Sequence, residues 1–589
     1  MRRFAGSIVG REELVVQTNS THRPGSDTLR SISGAGEDAH FSEVDCGART
    51  RIQDFGGTGR HRIVLAIALA PSLPQDFLSE RLAQSLRDET GQSVLLVKLV
   101  PATGPECGAG ALSIESILST HAEARVSLPQ NNGTISRIVL KINVGPDGGE
   151  PVTPLLSYLS SQFDCILVQG DFLATPRRSL LESSGLADSI YLFLPPAADD
   201  FRRFEFFASD LRSHRRSDAL DVRAVICLAG TERVNAPPAF WRHPVHAFIH
   251  DCPTSDISPA NGSEPTGLLR QDIRRLAREI GHCRLGLALS AGGAKGLAHI
   301  GVIQILEENG IEVDVIAGCS MGAYIAAAWA VGCDGAKMEK LARENEKPWG
   351  FWRLLDPTFL PRQGFLHGDA VRRRLQQTIG TAHFSDLVRP MRAVATNLDT
   401  LDREVFASGS VAEAVQASCA IPGVVVPVTI GSETYIDGGV SDPLPVDVLK
   451  DMRVDRIIAV NAIPPSAFLR CCREVERERA ELAEKRFSLL RNLNQQINYF
   501  ARGNILDIMM RAVHGGQIRM AEQACGRADV VLRPLAIDAH WHDFNHPGKY
   551  IALGRKVALE HLDELKALVK PKAQHNEHES SHHEMAALI

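Results

Sequence analysis

Three short stretches carry residues whose types and spacing could do chemistry together. The first, Leu285-Gly286-Leu287-Ala288-Leu289-Ser290-Ala291-Gly292-Gly293-Ala294-Lys295-Gly296, is an apolar run that ends in a glycine-rich turn. An amphipathic helical pattern follows to about Asn309. Main-chain NH groups at such a turn and helix start have no partner in the preceding chain, so they form a cradle for an anion. Glycine permits the close approach and positive φ angles that a side chain would block. Alone, this turn fits a phosphate, an oxyanion or nothing at all. The second stretch reads as a strand, then Gly318-Cys319-Ser320-Met321-Gly322, then an Ala-rich helix, which is the context a nucleophile elbow requires. Gly318 and Gly322 allow the sharp turn that lifts the Ser320 hydroxyl clear of the sheet, and the helix N-terminus adds positive potential beneath it. Either turn alone also reads as a tight connection packed with small residues. Both within one βαβ unit favour the chemical reading.

A serine hydroxyl is a weak nucleophile and needs a nearby base. His299 lies one turn past the glycine-rich loop and reads as a packing or surface residue, while His367, His383 and His514 stand in segments with no supporting constellation. The better candidate is Asp437, in Thr434-Tyr435-Ile436-Asp437-Gly438-Gly439, where a strand ends in a carboxylate followed by two glycines. Asp-Gly-Gly by itself is also an ordinary turn.

The elements that must position these residues follow from the apolar pattern. Short β-rich runs recur at 63–67, 94–97, 138–140, 165–168, 190–194, 222–228 and 245–249, with helix-like segments such as 75–88 between several of them. Apolar strands alternating with helices predict a mainly parallel α/β sheet covered on both faces. We expect a poorly ordered, Gly/Ser/Arg-rich leader at 1–60 and an accessory α/β domain at 61–255. A linker with a lead-in helix (268–280) follows at 256–283, then a catalytic α/β domain at 284–570 and a disordered tail at 571–589. The 589 residues exceed one hydrophobic core, in keeping with two domains.

Composition excludes several classes. Net charge is −6 and the basic residues are not segregated, so nucleic acid is not an expected partner. No window reaches the roughly 18 uninterrupted apolar residues of a membrane-spanning helix, and because Arg11, Glu12 and Glu13 follow Met1-Arg2-Arg3-Phe4 so soon, no cleaved secretory signal is expected. The 12 cysteines show no metal-ligand spacing and read as reduced thiols; Cys471 and Cys472 are adjacent. His575, His578, His582 and His583 fall in the polar tail. No acidic cluster calls for a metal, and no cofactor is expected.

Taken together and in this order, Gly-Gly-x-Lys-Gly, Gly-x-Ser-x-Gly and Asp-Gly-Gly resemble the patatin-like phospholipases, over about 284–450 and more loosely to about 565. The resemblance implies an α/β fold: a patatin-like three-layer αβα catalytic domain with a mainly parallel sheet. It also implies a Ser–Asp dyad in place of a triad. Carried over residue by residue, Ser320 matches the nucleophile and Asp437 the base. Gly292, Gly293, Ala294, Lys295 and Gly296 match the oxyanion loop, with the NH of Met321 as a further donor. Pro445 closes the third motif as the family commonly does. The family usually has three successive glycines in the loop; here the first is Ala291, which bears on rate and pocket shape. Lys295 would either hold a phosphate head group or cap the loop.

The upstream domain and its lead-in helix 272–280 are similar to the neuropathy target esterase type of lysophospholipase, closest in kind to the bacterial ones. Such proteins often carry cyclic-nucleotide-binding domains further upstream; about sixty leader residues are too few for one, so no cyclic nucleotide is expected. The accessory domain also resembles a ParA/MinD-like nucleotide-binding fold. Its opening turn at 70–75 lacks the glycines and lysine that cradle phosphates, so a degenerate, non-binding scaffold is expected. The implied substrate is a phospholipid or lysophospholipid, and the implied setting is cytoplasmic, with peripheral attachment to the inner face of the membrane as a further expectation. Segments 349–365 and 487–510 mix Trp, Phe, Leu and Ile with Arg, which suits either an interfacial surface or a cover over the sheet. Two other readings stand beside this one: a carboxylesterase or thioesterase on soluble acyl esters, and a non-catalytic lipid-binding regulatory protein.

Overall fold

A computed structural model describes residues 62–102, 112–114, 135–143, 152–215, 221–230, 245–253, 267–346, 356–358, 362–470, 474, 505–536 and 542–569. The leader, the tail with its histidines, Cys471, Cys472, the linker 254–266, and most of 349–365 and 487–510 lie outside these residues.

The described chain is built on two sheets. The first holds β1 (Arg62–Ala68), β2 (Val94–Pro101), β3 (Leu112–Ser113), β4 (Ser136–Ile142), β5 (Cys165–Asp171), β6 (Ser189–Leu194), β7 (Val222–Cys227) and β8 (Val245–Ile249). Their order is β3-β4-β2-β5-β1-β6-β7-β8, and every neighbouring pair runs parallel. Near-continuous apolar strands such as β2 and β7 are what a sheet buried on both faces requires. Phe201, Phe204 and Phe207 of helix Ala198–Arg215 are fully buried against one face. The other face is covered by helix Gln75–Thr90 and by helix Gly267–Ile280, whose Leu269, Ile273, Leu276, Ala277 and Ile280 enter the same core. The helix expected as a lead-in is therefore also a wall of the first sheet.

The second sheet holds β9 (Leu285–Leu289), β10 (Val315–Cys319), β11 (Met391–Asn397), β12 (Arg403–Phe406), β13 (Val428–Ile430), β14 (Glu433–Asp437), β15 (Arg456–Val460) and β16 (Val530–Leu532). The order is β13-β14-β11-β10-β9-β15-β16, with β12 paired to β11. The pairs from β11 through β16 along that order are parallel; β12, β13 and β14 join antiparallel. Alternation along each strand sends Leu285, Leu287, Leu289 and Ile316 to one core, and Ala288, Val315, Ala317 and Cys319 to the other. Helices Ala298–Glu308, Met321–Ala330 and Pro547–Glu560 cover the first face, and Val446–Asp451 with Ile505–Cys525 the second. The result is a mainly parallel α/β sheet in three layers.

Buried charge joins the two sheets. Glu279 of helix Gly267–Ile280 accepts hydrogen bonds from Tyr191 (3.1 Å) and Arg284 (3.0 Å) and pairs with Arg223. Arg284 is the residue that opens into β9. Arg278 reaches Asp314 Oδ1 at 2.6 Å, and Asp314 Oδ2 accepts the NH of Leu285 at 2.8 Å. The start of the central strand β9 is thus held through carboxylates, two of whose partners belong to the first sheet.

Candidate active site

The strand-to-helix turn after β10 is strained as its sequence requires. Ser320 sits at φ 53°, ψ −120°, a sparsely populated positive-φ conformation that costs a non-glycine residue about 1–3 kcal/mol and persists only where its surroundings enforce it. The enforcement is steric. A Cβ on Gly318 would stand 2.6 Å from the Ala323 nitrogen, and one on Gly322 would stand 2.2 Å from the Leu289 carbonyl oxygen. Only glycine at both positions lets helix Met321–Ala330 start this close to β9 and β10.

Asp437 reaches the same point from β14, whose register sets it opposite Ala395 on β11. The Ser320 hydroxyl donates to Asp437 Oδ2 at 2.6 Å, while Asp437 Oδ1 accepts the NH of Gly439 at 2.7 Å. One carboxylate oxygen is thereby fixed by the backbone and the other faces the serine. Both residues are buried, at 6% and 5% exposure, which matters because water cannot then compete for that hydrogen bond. Burial pushes the Asp437 carboxyl up to about 6, against the pull of the bonds from Ser320 and Gly439.

The glycine-rich loop lies alongside. Gly293 takes φ 57° and opens a short 3-10 helix, Gly293–Leu297, that runs into Ala298–Glu308. A Cβ on Gly296 would meet Met321 Cβ at 2.8 Å, so the loop is packed directly on the residue after Ser320. Two helix starts converge here, and the leading NH groups of each lack intrahelical partners. Gly292, Gly293 and Ala294 come from one and Met321 from the other. The arrangement can polarise an ester carbonyl and hold the negative charge that forms on its oxygen. Burial, and after it the charge of Lys295, holds the His514 imidazole below its ordinary pKa.

His299, His367 and His383 take no part in the hydrogen bonds of Ser320 and Asp437. His299 is fully buried; its Nε2 donates to the Ser290 carbonyl at 2.9 Å, and burial takes its pKa down to about 4. It ties the helix after the loop to the end of β9 as a neutral packing residue. His367 and His383 make main-chain NH bonds to Asp356 and Asp386.

Several neighbours of Ser320 and Asp437 leave no local pattern in the sequence. Ser418, fully buried, accepts the Ser320 NH at 2.8 Å and donates to the Val394 carbonyl at 2.5 Å. The Cys419 thiol sits beside Ser320, and burial with the Asp437 charge keeps it protonated. Gln517 of helix Ile505–Cys525 approaches Gly439, where a Cβ would be 2.6 Å from its amide nitrogen. On the same helix His514 Nδ1 lies 3.2 Å from Gln517 Oε1. Among the described residues no group of three or more His, Cys, Asp or Glu is arranged to hold a metal ion, and no helix is long and apolar enough to cross a membrane.

Residues 287–450 match the patatin-like phospholipase family model, a range that takes in the glycine-rich loop, Ser320 and Asp437. These residues form a patatin-like phospholipase domain. Within the chain, 192 residues are 36% identical to lysophospholipase nte1 of Aspergillus fumigatus, covering 32% of this chain and 12% of that protein. An NTE family protein of Mycobacterium tuberculosis, itself uncharacterised, is 36% identical over 180 residues, covering 30% of this chain and 49% of its own length. The chain thus spans half or less of the curated relatives that its patatin-like domain matches. Among solved structures, VipD from Legionella pneumophila aligns with 48% of this chain and 67% of its own at 16% identity and a TM-score of 0.26. MinD from Pyrococcus furiosus aligns with 37% of this chain and 98% of its own at 19% identity and a TM-score of 0.28.

Proposed function

We propose that this chain is a serine hydrolase that cleaves acyl esters of phospholipids or lysophospholipids, with Ser320 as nucleophile and Asp437 as base. The observation that carries the reading is the 2.6 Å hydrogen bond from the strained, buried Ser320 hydroxyl to a carboxylate poised near pH 6. Asp437 takes the Ser320 proton as the oxygen attacks the ester carbonyl. The tetrahedral oxyanion is held by the NH groups of Gly293, its loop neighbours and Met321, and the proton passes to the departing alcohol. Water, activated by Asp437, then frees the fatty acid from the acyl-enzyme. Removing one oxyanion donor typically costs about a hundredfold or more in rate, which sets the scale for this loop. Ser418 takes up the Ser320 NH, so that group supports the elbow and not the oxyanion.

The lipid substrate class is supported by the family match and by the lysophospholipase names of the relatives. The expected setting is a membrane surface reached from the cytoplasm. The test is fatty acid release from lysophospholipid and from diacyl phospholipid by wild type, Ser320→Ala and Asp437→Asn. Release by wild type alone is expected. Turnover by Ser320→Ala would sink the assignment; activity confined to short soluble esters would favour a carboxylesterase or thioesterase, and none on any ester a lipid-binding protein.

A further inference from the structure

The turn that joins β11 to β12 displays two leucines to solvent, and nothing in its own packing calls for them. Leu398 is 39% and Leu401 64% exposed, two large apolar side chains three positions apart on one turn. Leu401 also sits at φ 62°, in the left-handed region where Asn or Gly belongs and a branched apolar residue is strained. The turn is nevertheless rigid. Asn397 Oδ1 accepts the NH groups of Asp399 (2.9 Å) and Thr400 (3.1 Å), and the Asn397 carbonyl accepts the NH of Leu401 at 2.9 Å. The Asn397 NH donates to Asp402, and Leu398 is anchored through its NH to Thr434 at 2.8 Å. A strained turn that presents leucines outward while every NH from Asn397 to Asp402 is hydrogen-bonded is suited to contact.

Its place in the fold says with what. β10 and β11 are parallel, so their C-terminal ends share one sheet edge, the edge at which Ser320 and Asp437 meet. Asp437 lies opposite Ala395, and Leu398 opens the turn that directly follows the last residue of β11, Asn397, two positions on from Ala395. The tip's ionic character narrows the partner. Asp399 and Asp402 are exposed, and the next cation along the chain, Arg403, is committed to Asp442 (3.1 Å) and Asp451 (2.9 Å). An apolar tip flanked by carboxylates suits an electrically neutral surface and disfavours an anionic one.

We infer that the Leu398–Leu401 turn is the element by which this chain enters a zwitterionic phospholipid surface, setting the Ser320–Asp437 edge against the lipid. The inference rests on the lipid-hydrolase reading, yet binding can be measured without turnover. The full-length Ser320→Ala chain, with and without Leu401→Asn, would be sedimented with phosphatidylcholine vesicles and with vesicles containing phosphatidylglycerol. Asn tolerates the left-handed conformation, so Leu401→Asn should unfold at the same or a higher temperature than its parent. It should bind phosphatidylcholine vesicles about tenfold more weakly, as expected for loss of one inserted leucine. In the otherwise wild-type chain it should reduce fatty acid release from vesicles and leave hydrolysis of a short, monomeric ester unchanged. Unaltered vesicle binding, preference for the anionic vesicles, or equal loss on vesicle and monomeric substrates would each overturn the inference. Absence of any ester hydrolysis in wild type would instead defeat the hydrolase reading, while the sedimentation result would still decide the surface.

Discussion

Asp437 is the residue on whose ionisation the proposed chemistry turns. Burial lifts its carboxyl from 3.8 to about 6, and only its charged form can take the serine proton. Turnover of a soluble ester at low concentration should therefore rise with pH through about 6 and level off above it. A flat profile between pH 5 and 8 would contradict that role. The same shift acts on stability in the opposite sense. The native state holds this proton more tightly than the unfolded chain, so stability is gained as pH falls from about 6 towards 4, and forfeited above 6. Asp437→Asn removes the buried charge and should stabilise the protein at pH 7.5 by on the order of 1–3 kcal/mol in urea denaturation, the difference fading by pH 4. That Ser320 and Asp437 meet was legible in the sequence because each stands in a local motif whose flanking glycines have their own steric reason. Ser418 was not, because its contact with the Ser320 NH spans 98 residues and leaves no local pattern.

Among the elements, the helix that follows the glycine-rich loop owes its position to one close crossing. A Cβ on Gly554 would stand 1.9 Å from the Ala298 carbonyl oxygen, and one on Gly301 2.0 Å from that of Ile551, so helices Ala298–Glu308 and Pro547–Glu560 touch backbone to backbone. Gly554→Val must push them apart, at an expected cost of about 3 kcal/mol or more, with a fall in activity because the loop leads into the displaced helix. Gly185, within helix Arg177–Leu186, offers the contrast: open space surrounds its would-be Cβ, and Gly185→Ala should add about 0.4–1 kcal/mol. Thermal unfolding of both variants checks the pair. The parallel strands were readable because burial on both faces writes them as apolar runs. The two-residue β3 leaves too short a run to read. Helix 267–280 was readable as a helix, but an apolar stripe does not name the sheet that receives it.

At the scale of the whole molecule, the first sheet braces the second through buried ions. Glu279 stands between Arg223 and Arg284, all three nearly inaccessible to water. Glu279→Ala would leave two guanidinium groups without their shared carboxylate and should destabilise the protein by about 3–5 kcal/mol, measured by urea denaturation. A change below 1 kcal/mol would mean the two halves are held together by other means. The sequence showed two α/β patterns and no reason for their union. Glu279 pairs with Arg223 across 56 residues, and charges of that separation carry no periodicity to read.

Whether Ser320 is an activated nucleophile can be measured without knowing the lipid. The purified chain would be treated at pH 7.5 with a fluorophosphonate, which phosphonylates activated serines, and the modified peptide mapped by mass spectrometry. The expected result is a single adduct on Ser320, formed far more slowly in Asp437→Asn and absent in Ser320→Ala. Modification elsewhere, or undiminished labelling of Ser320 in Asp437→Asn, would contradict the Ser–Asp account.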